Sequence, residues 1–541
     1  MKYSNPIVPG FAPDPSIVLV DGVFYLATSS FHLFPGIPIY ASRDLQAWTH
    51  IGNAILRAEQ LKLSNASTMP VPLRGGDSML GCGGLFAPTI RHHDGRFYII
   101  CTNASTTPAF KVDNFFVWTD DIWHGAWSDP IFFPFRGIDP SLFFEGGRAY
   151  VQGSFSLGMD RHPSCTIKQF GMDMETGELL TEPVEIWAGH SRIDTEGPHI
   201  YRKDGYYYLV VAEGGTFEHH MLSIARSEDL WGPYEGFDGN PIMTSDGKPG
   251  EYIQNIGHGE LVEDASGQWW AVVLGVRKAD GSHPLGRETF LAPVTWPEGG
   301  WPVISQPKAS WEGPAVNPGS VPHDGIMFEE RVSRVPDSIG WLYIRDPEPQ
   351  CYTLPDQNGR RITLRPSLAD MSRPTGTCTF VGKRQRTLEV VVETTLQLAT
   401  VRSGEAPIVT GLAVYKHHLH HLSLRYDAKA GRVTFHGFNG VTGLDADGGP
   451  SLHVGEIDGV LHLKMEATAT EYRGFACTAV SDGVGESARA WKDLGSFETA
   501  AFTANEMTGP TLGVFASCTE EMATSTDLVF DELHCMHVKT T

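Results

Sequence analysis

A motif of two strands joined by a tight turn occurs five times in the first half of the chain, and this repetition constrains the fold more than any other feature. Each copy joins its strands by an Asp-Gly-like turn and has a second strand rich in aromatic or β-branched residues, the pattern of a β-hairpin. The copies lie about 50 to 75 residues apart, which leaves room for two further strands in each interval. They begin at Asp14-Pro15-Ser16-Ile17, Ala87-Pro88-Thr89-Ile90, Asp139-Pro140-Ser141-Leu142, Gly197-Pro198-His199-Ile200 and His258-Gly259-Glu260-Leu261.

Five regular copies at this spacing predict a β-propeller with five four-stranded blades, and a sandwich of repeated hairpins is the alternative. Seven prolines between Pro293 and Pro322 then predict an extended connection. From Phe328 onward, short alternating strands and Gly- and Asp-rich turns predict an antiparallel β-sandwich of the concanavalin or jelly-roll type. The predicted all-β chain has a propeller over residues 1–310, a linker over 311–327 and a sandwich over 328–541.

Composition narrows the kind of partner. The formal net charge of −23 makes nucleic acid and anionic membrane surfaces poor partners, and a neutral ligand fits better. No apolar run reaches the roughly 18 residues that a membrane span needs. The start of the chain, Met1 to Pro6, has no signal-peptide pattern, so we expect a cytoplasmic protein unless a leader has been removed. The eight cysteines include no Cys-x-x-Cys pair, which favours free thiols over a zinc site or a disulfide scaffold.

The repeats also predict where chemistry occurs. The innermost strand of each blade starts at the propeller axis, so equivalent positions form a ring around one funnel. This alignment places Asp14, Ala87, Asp139, Gly197 and either His258 or Gly259 near the ring, with Glu196 one residue before its Gly-Pro. Each Asp alone could cap a turn, but three carboxylates at one register favour a chemical role.

Like charges in one pocket raise at least one pKa and so provide an acid beside a base. The sequence shows no nucleophilic serine motif, Cys/His pair or phosphate-binding loop beside these carboxylates. Paired carboxylates in this setting point to glycoside hydrolysis.

Further motifs occur in a fixed order along the whole chain. In the first half they are Asn5-Pro6-Ile7-Val8-Pro9-Gly10-Phe11-Ala12-Pro13-Asp14-Pro15-Ser16-Ile17, Gly137-Ile138-Asp139-Pro140-Ser141-Leu142, Thr195-Glu196-Gly197-Pro198, Ala225-Arg226-Ser227 through Trp231-Gly232-Pro233-Tyr234, and Leu285-Gly286-Arg287-Glu288-Thr289. In the second half they are Phe380-Val381-Gly382-Lys383-Arg384-Gln385 and Gly411-Leu412-Ala413-Val414-Tyr415. Together they resemble the two-domain β-xylosidases of glycoside hydrolase family 43.

The resemblance implies inverting hydrolysis that releases xylose from the non-reducing end of β-1,4-xylo-oligosaccharides, and it leaves α-L-arabinofuranosidase activity open. It implies that Asp14 is the general base and Glu196 the general acid. Asp139 would hold Glu196 in place and raise its pKa. Inversion needs room for a water molecule, so the carboxyl groups of Asp14 and Glu196 are expected about 6.5–9.5 Å apart.

The resemblance also suggests residues that contact the sugar. It implies that Arg287 binds sugar hydroxyls close to Asp14, and that Phe31 offers an aromatic face. His258 would line the site or hold a cation or water. Phe86 departs from the family, which usually has Trp there. The stretch Met507-Thr508-Gly509-Pro510-Thr511 matches a Phe-Thr-Gly-like motif from which relatives insert an aromatic side chain, so that contact is expected to differ.

No cofactor is expected to be required. A structural Ca²⁺ near the axis and a homodimer or homotetramer are left open by the resemblance, and no metal ligand beyond His258 is suggested. The run His417-His418-Leu419-His420-His421 is expected to form a solvated or interface strand, because alternating side chains do not bring four histidines to one ion.

Two other functions compete with exo-hydrolysis. An endo-arabinanase-type hydrolase on the same fold would need an open groove. A non-catalytic carbohydrate-binding protein would keep its ligand affinity after a Glu196→Gln change and would have no turnover to lose.

Overall fold

The structure of the protein is a computed structural model that describes residues 1–73, 76, 78–279, 281–320, 327–355, 360–401, 407–455, 459–480 and 490–537. Its regular structure is almost entirely β-strand, which confirms the predicted fold class. Within these ranges, no helix has the length and apolar character needed to cross a bilayer.

The strands between residues 2 and 312 are short and follow one another closely. In chain order they are β1 (Lys2–Ser4), β2 (Ser16–Val20), β3 (Val23–Ala27), β4 (Leu33–Phe34), β5 (Gly36–Ser42), β6 (Thr49–Ile55), β7 (Thr68–Pro72), β8 (Ser78–Cys82), β9 (Gly84–His93), β10 (Arg96–Ser105), β11 (Lys111–Thr119), β12 (Ile131–Phe133), β13 (Ile138–Glu145), β14 (Arg148–Ser156), β15 (Cys165–Met172), β16 (Val184–Trp187), β17 (Glu196–Lys203), β18 (Tyr206–Glu213), β19 (Met221–Ser227), β20 (Glu235–Gly236), β21 (Met243–Thr244), β22 (Ile253–Glu263), β23 (Trp269–Arg277), β24 (Arg287–Thr295), β25 (Val303–Ile304) and β26 (Ser310–Glu312).

These strands form the five antiparallel blades of a propeller. The blades pair in the orders β2-β3-β5-β6, β9-β10-β11-β12, β13-β14-β15-β16, β17-β18-β19-β20 and β22-β23-β24-β25, with β21 added beside β19 in the fourth. The innermost strand of each blade is the first strand of one of the five predicted hairpins. The propeller prediction is therefore confirmed, and the sandwich alternative for this half is wrong. β7 and β8 form a separate hairpin between the first and second blades.

The predicted turns connect the inner two strands of each blade. Asp21-Gly22, Asp94-Gly95 and Asp204-Gly205 have both residues at positive φ, between 48° and 85°, as does Gly146-Gly147. That conformation matches the twist of a two-residue hairpin and is accessible to Gly, Asp and Asn at low cost. These dipeptides therefore account for the tight turn between the inner two strands of these blades.

A separate apolar core fills each of the five gaps between neighbouring blades. One example from each gap is Ile99 with Ala41, Phe170 with Ile100, Leu209 with Ile167, Phe290 with Tyr208, and Leu26 with Trp270. The last of these closes the ring between the fifth and first blades. Because each blade is apolar on both faces, all five must pack side by side before any is fully buried.

The N-terminal segment closes the ring without a covalent bond. β1 pairs with β26, and the side chain of Asn5 exchanges hydrogen bonds with the backbone of Leu291 in β24. The amide of Ala12 then donates to the carbonyl of Arg287 at 3.0 Å. This contact brings the residues before β2 next to the start of β24.

The second half begins with the short helix α1 (Phe328–Ser333), which precedes its strands. Its strands are β27 (Leu342–Ile344), β28 (Tyr352–Thr353), β29 (Ile362–Leu364), β30 (Thr379–Arg384), β31 (Val390–Gln397), β32 (Ile408–His417), β33 (His420–Asp427), β34 (Arg432–Asn439), β35 (Leu444–Asp447), β36 (Leu452–His453), β37 (Gly459–Ala467), β38 (Glu471–Val480), β39 (Lys492–Glu498), β40 (Thr511–Cys518) and β41 (Leu528–His537). Short 3₁₀ turns lie at Asp337–Gly340, Pro349–Cys351, Leu398–Thr400, Thr499–Phe502 and Glu521–Ser525. Part of the predicted linker, residues 321–326, lies outside the described residues.

These strands form two sheets around one apolar core, which confirms the predicted sandwich. One sheet has the order β35-β34-β33-β32-β40-β30-β27-β4 with β36 beside β34, and the other has the order β28-β29-β41-β31-β37-β38-β39. β4 belongs to the first blade in sequence but pairs with β27, so the sandwich sheet extends into the propeller. The two domains therefore share backbone hydrogen bonds as well as side-chain contacts.

The histidine run is buried, so the solvated alternative of the expected solvated or interface strand is wrong. β32 ends at His417 and β33 starts at His420, and the turn between them makes these two residues face each other across the hairpin. Their rings contact Glu506, with His417 Nε2 and His420 Nδ1 at 2.9 and 3.0 Å from its Oε2. The buried ammonium of Lys416 lies 2.5 Å from the other carboxylate oxygen. The simple alternation of a continuous strand does not apply across this turn.

Candidate active site

The five innermost strands share an unusual backbone conformation where they start at the axis. The residues at this position have φ values of 54°, 49°, 53°, 53° and 29°. They are Asp14, Ala87, Asp139, Gly197 and His258. A positive φ is costly for residues other than glycine and is concentrated at functional sites. The shared conformation shows that the five positions are structurally equivalent, as the alignment of the hairpins predicted.

Register shifts accompany this conformation in the later blades. β13 shifts against β14 between Ile138 and Ser141, and β17 shifts against β18 between Glu196 and His199. A β-bulge bends a strand and redirects a side chain, and bulges are frequent beside active sites. Here they lie next to Asp139 and Glu196.

All seven residues singled out in the sequence line one cavity of about 490 Å³ at this end of the axis. They are Asp14, Phe31, Phe86, Asp139, Glu196, His258 and Arg287. Thr216 and Met507 also line it, and Met507 comes from the sandwich domain. The cavity has the size of a small-molecule site, with its charged groups at the inner end.

Asp14 is buried and is held by two partners. Its Oδ2 accepts a hydrogen bond from Ser29 Oγ at 2.5 Å, and its Oδ1 accepts one from Arg287 Nη1 at 3.2 Å. Ser29 Oγ in turn accepts a hydrogen bond from the amide of Ala87 at 2.8 Å. The carboxylate orientation is therefore fixed by the first, second and fifth blades together.

Asp139 and His258 form the second part of the site. Asp139 Oδ2 accepts a hydrogen bond from the amide of Gly197 at 3.1 Å, next to Glu196. His258 Nδ1 lies 3.9 Å from Asp139 Oδ2 and also 3.9 Å from Asp14 Oδ1, so its ring stands between the two carboxylates. Asp139 thereby contacts the peptide that positions Glu196.

An aromatic wall faces these charged groups. The rings of Phe31 and Phe86 stack with centroids 5.7 Å apart and an angle of 22° between their planes. The guanidinium of Arg287 lies over the Phe31 ring at 5.3 Å. Aromatic faces suit the apolar face of a sugar ring, and the charged edge beside them suits its hydroxyl groups.

Comparison with known families accounts for both domains. The model described as "Glycosyl hydrolases family 43" matches residues 3–302. The model described as "Beta xylosidase C-terminal Concanavalin A-like domain" matches residues 337–534. The chain belongs to glycosyl hydrolase family 43.

Individual relatives of this family 43 hydrolase agree over most of its length. It is 36% identical over 418 residues, 75% of this chain and 73% of the relative, to a Bacteroides ovatus protein named non-reducing end alpha-L-arabinofuranosidase. It is 36% identical over 450 residues, 80% of this chain and 81% of the relative, to a Butyrivibrio fibrisolvens protein named xylosidase/arabinosidase. The solved structure of a xylan beta-1,4-xylosidase from Bacillus halodurans superposes with a TM-score of 0.83 at 28% identity, covering 99% of this chain and 100% of that one.

The environments of the three carboxyl groups shift their pKa values in different directions. Burial alone would raise the pKa of Asp14, but the positive charge of Arg287, His258 and the hydrogen bond from Ser29 outweigh it and hold the pKa below its usual value. Burial raises the pKa of Glu196 well above its usual value, and the negative charges of Asp139 and Asp194 add to the shift. Burial also raises the pKa of Asp139 to about 6, despite the opposing effect of His258. Within this family 43 site, Asp14 therefore ionises more readily than Glu196, so the two carboxyl groups favour opposite protonation states.

Three contacts of the site were not predicted from the sequence. Ser29 lies in the run Thr28-Ser29-Ser30, directly after the apolar strand β3. Three hydroxyl side chains at the funnel end of a strand are a sequence signal for this contact. Thr216 follows two glycines, and its Oγ1 accepts a hydrogen bond from Arg287 Nη1 at 3.0 Å. The carbonyl of Met507 accepts from Nε and Nη2 of Arg287 at 3.3 and 3.0 Å, and the motif that begins at Met507 does not identify Arg287 as its partner.

Two departures from the family pattern have structural counterparts. Phe86, where the resemblance implies Trp, completes the wall by stacking on Phe31. Met507 begins the stretch for which the resemblance implies an altered contact, and its flexible side chain lines the cavity. The sandwich domain therefore contributes the thioether side chain of Met507 to the cavity.

The next layer along the axis does not fit a divalent ion. Two residues after the ring positions, Glu260 accepts hydrogen bonds from Ser16 Oγ at 2.6 Å and from the amide of Ile17 at 2.9 Å. Its other oxygen lies 2.6 Å from Arg91 Nη2, so a guanidinium already neutralises it. A Ca²⁺ bound by Glu260 would have to displace Arg91, so these residues do not favour such a site. The structural Ca²⁺ near the axis stays a prediction.

Proposed function

We propose that the chain is an exo-acting, inverting hydrolase that releases xylose from the non-reducing end of β-1,4-xylo-oligosaccharides. The observation that carries this proposal is the opposite shift of two pKa values in one cavity, low for Asp14 and high for Glu196. Such a pair supplies a base and an acid at the same pH. The curated relatives named as xylosidases support the choice of sugar.

In the proposed reaction, Asp14 accepts a proton from a water molecule while the oxygen of that water attacks the anomeric carbon. The bond from that carbon to the leaving oxygen breaks, and Glu196 donates its proton to that oxygen. The attack from the opposite side inverts the anomeric centre. Asp14 then releases its proton to solvent and Glu196 takes one up from solvent, which restores both groups. These steps use only side chains and water.

Asp139 and Arg287 act as positioning residues in this scheme. Asp139 binds the Gly197 amide and, when ionised, its charge opposes ionisation of Glu196, which keeps the acid protonated. Arg287 binds Asp14 and keeps it ionised, and the same guanidinium can bind a sugar hydroxyl. The aromatic wall of Phe31 and Phe86 completes the pocket for a single terminal sugar.

The sandwich domain supports exo-action. Met507 lines the cavity, and Gly286 packs so closely against this segment that a Cβ there would lie 2.8 Å from the carbonyl oxygen of Thr508. A long polysaccharide crossing the site would have to displace this contact. The closed side favours release of a terminal sugar over endo-cleavage.

α-L-Arabinofuranosidase activity is the second candidate. The two relatives described above carry arabinofuranosidase or arabinosidase in their names. Both sugars are pentoses that present similar hydroxyls to a small pocket. We propose β-xyloside as the main substrate class and α-L-arabinofuranoside as a second one.

The partner of this protein is a carbohydrate, as for glycoside hydrolases in general. A homodimer or homotetramer remains a proposal that rests on the family resemblance, and sedimentation velocity would measure it directly.

The test is hydrolysis of nitrophenyl β-xyloside and nitrophenyl α-arabinofuranoside by wild type and by Glu196→Ala. Wild type should cleave at least one of them, and the variant should lose most of this activity. The loss should be smaller for a dinitrophenyl glycoside, whose leaving group needs less protonation. Glu182→Ala changes an exposed glutamate and serves as the matched control. Failure of wild type to cleave either sugar would overturn the proposal.

A further inference from the structure

The outer part of the active-site cavity is lined by apolar side chains from separate segments. β7 contributes Met69 and Val71, β8 contributes Met79, the segment before β11 contributes Phe110, and the loop after β14 contributes Met159. We call these five side chains the apolar collar. They surround the cavity beyond the carboxylates, where the leaving group of a bound glycoside would extend.

The exposure of the lining residues separates the collar from the catalytic end. Met69, Phe110 and Met159 are 41%, 64% and 52% exposed, respectively. Asp14 and Arg287 are 5% and 4% exposed at the inner end. Large apolar side chains exposed together are uncommon on a soluble protein and usually mark a binding surface.

Among the described residues that line the cavity, few have a polar side chain beside the collar. Thr106, a lining residue with a hydroxyl, already uses it, since Oγ1 donates toward the carbonyls of Asn65 and Ser67 and accepts from the Ser67 amide. Among the described lining residues, the charged side chains belong to the innermost strands and to the start of β24. A sugar in this position would give up hydration of its hydroxyls without gaining equivalent hydrogen bonds.

An apolar leaving group would gain from the same surroundings. Burying alkyl or aryl surface is favourable in proportion to its area. Three of the five collar residues are methionines, whose flexible thioether side chains adapt to ligands of different shape. The collar therefore matches a hydrophobic group better than a second sugar.

We propose that the leaving-group side of this site selects glycosides with an apolar aglycone, an alkyl or aryl group attached to the terminal pentose. This inference rests on the proposed function, because it requires the inner end to bind the pentose. It identifies a substrate class beyond oligosaccharides, and it assigns specificity to the collar.

The test compares methyl, butyl and hexyl β-xylosides with xylobiose as substrates of wild type. The alkyl leaving groups have similar basicity, so a change along this series reports binding of the chain. Each buried methylene can contribute up to about fourfold. Partial burial of the chain is expected to raise kcat/KM about tenfold from methyl to hexyl, to a value above that of xylobiose.

A collar variant, Met69→Gln/Met79→Gln/Met159→Gln, keeps side-chain length and adds polar groups. Its ratio of kcat/KM for hexyl to methyl xyloside should fall to about one to twofold, on the same basis. The control is Met536→Gln, an exposed methionine of the sandwich, which should keep the wild-type ratio.

The outcomes are distinguishable. Cleavage of all members without dependence on chain length, or a preference for xylobiose, would overturn the inference and leave the proposed function intact. A collar variant that keeps the wild-type ratio would also overturn it. Failure to cleave any xyloside or arabinofuranoside would overturn the proposed function and the inference together.

Discussion

The guanidinium of Arg287 lies 3.2 Å from the carboxylate of Asp14, although the two residues are 273 positions apart in the chain. The same guanidinium is bound by the carbonyl of Met507, from the other domain. Arg287 therefore joins the proposed base to the sandwich.

Replacing Arg287 should impair the base. In Arg287→Met, Asp14 loses the positive charge that lowers its pKa, so its pKa should rise. Because the base works when ionised, the acidic limb of the kcat/KM profile should move to higher pH, and activity should fall about 100-fold. Arg287→Lys keeps a charge but not the fork that binds Met507, so its acidic limb should move less. An unchanged acidic limb in Arg287→Met would contradict the role of this pair.

Removing the charge of Asp139 should act on the acid. In Asp139→Asn, Glu196 loses a negative neighbour that raises its pKa, so its pKa should fall. The protonated acid would then be lost at lower pH, and the alkaline limb of kcat/KM should move down by about one pH unit. Asp194→Asn removes a weaker contributor and should shift the limb in the same direction by less. A shift to higher pH in Asp139→Asn would refute the assignment.

Gly197 offers a steric test of the ring. Its φ is 53°, and a Cβ would lie 3.0 Å from Cε1 of His258. Gly197→Ala should therefore displace the histidine from between the two carboxylates and reduce activity about 100-fold. Gly205→Ala is the matched control, because its φ is 85° but no atom lies within 4 Å of the added Cβ. It should destabilise the fold by about 1 kcal/mol and retain activity. Equal activity losses in both variants would show that backbone strain alone is responsible.

Glu506 should contribute strongly to stability. It is buried with Lys416, His417 and His420, so Glu506→Gln leaves the ammonium of Lys416 without its charged partner. Breaking a buried pair in this way costs about 3–5 kcal/mol in the free energy of unfolding, measurable by urea denaturation. Glu466→Gln removes a partly exposed partner of Lys464 and should cost less than about 1 kcal/mol. Similar losses in the two variants would contradict this account.

The pH dependence of stability follows from the same group. Burial would raise the pKa of Glu506, but Lys416 and the two histidines outweigh it and hold the pKa well below its usual value near 4.5. A carboxyl with a depressed pKa stabilises the folded state above its unfolded pKa, and that contribution is lost as pH falls toward the folded pKa. The free energy of unfolding of wild type should therefore fall more steeply below pH 4.5 than that of Glu506→Gln.

Much of the fold could be predicted because its signals are local. Dipeptides such as Asp94-Gly95 specify tight turns, and their spacing implies blades. The equivalence of positions then brings Asp14 and Asp139 together without any knowledge of distant contacts. Arg287 needed the family resemblance, since an arginine in a strand has no distinctive local pattern.

The remaining features depend on contacts between distant segments. The burial of His417 and His420 depends on a turn that makes them face each other and on Glu506, about 90 residues away. Met507 reaches Arg287 only because the sandwich packs on the propeller. Periodicity along the sequence carries no information about such pairs.

The stereochemistry of hydrolysis tests the central claim most directly. If Asp14 activates water and Glu196 protonates the leaving oxygen, proton NMR during hydrolysis of a β-xyloside should show α-xylose appearing first, followed by slow equilibration to the β-anomer. First appearance of β-xylose would mean that a carboxylate attacks the sugar itself, and it would contradict the account.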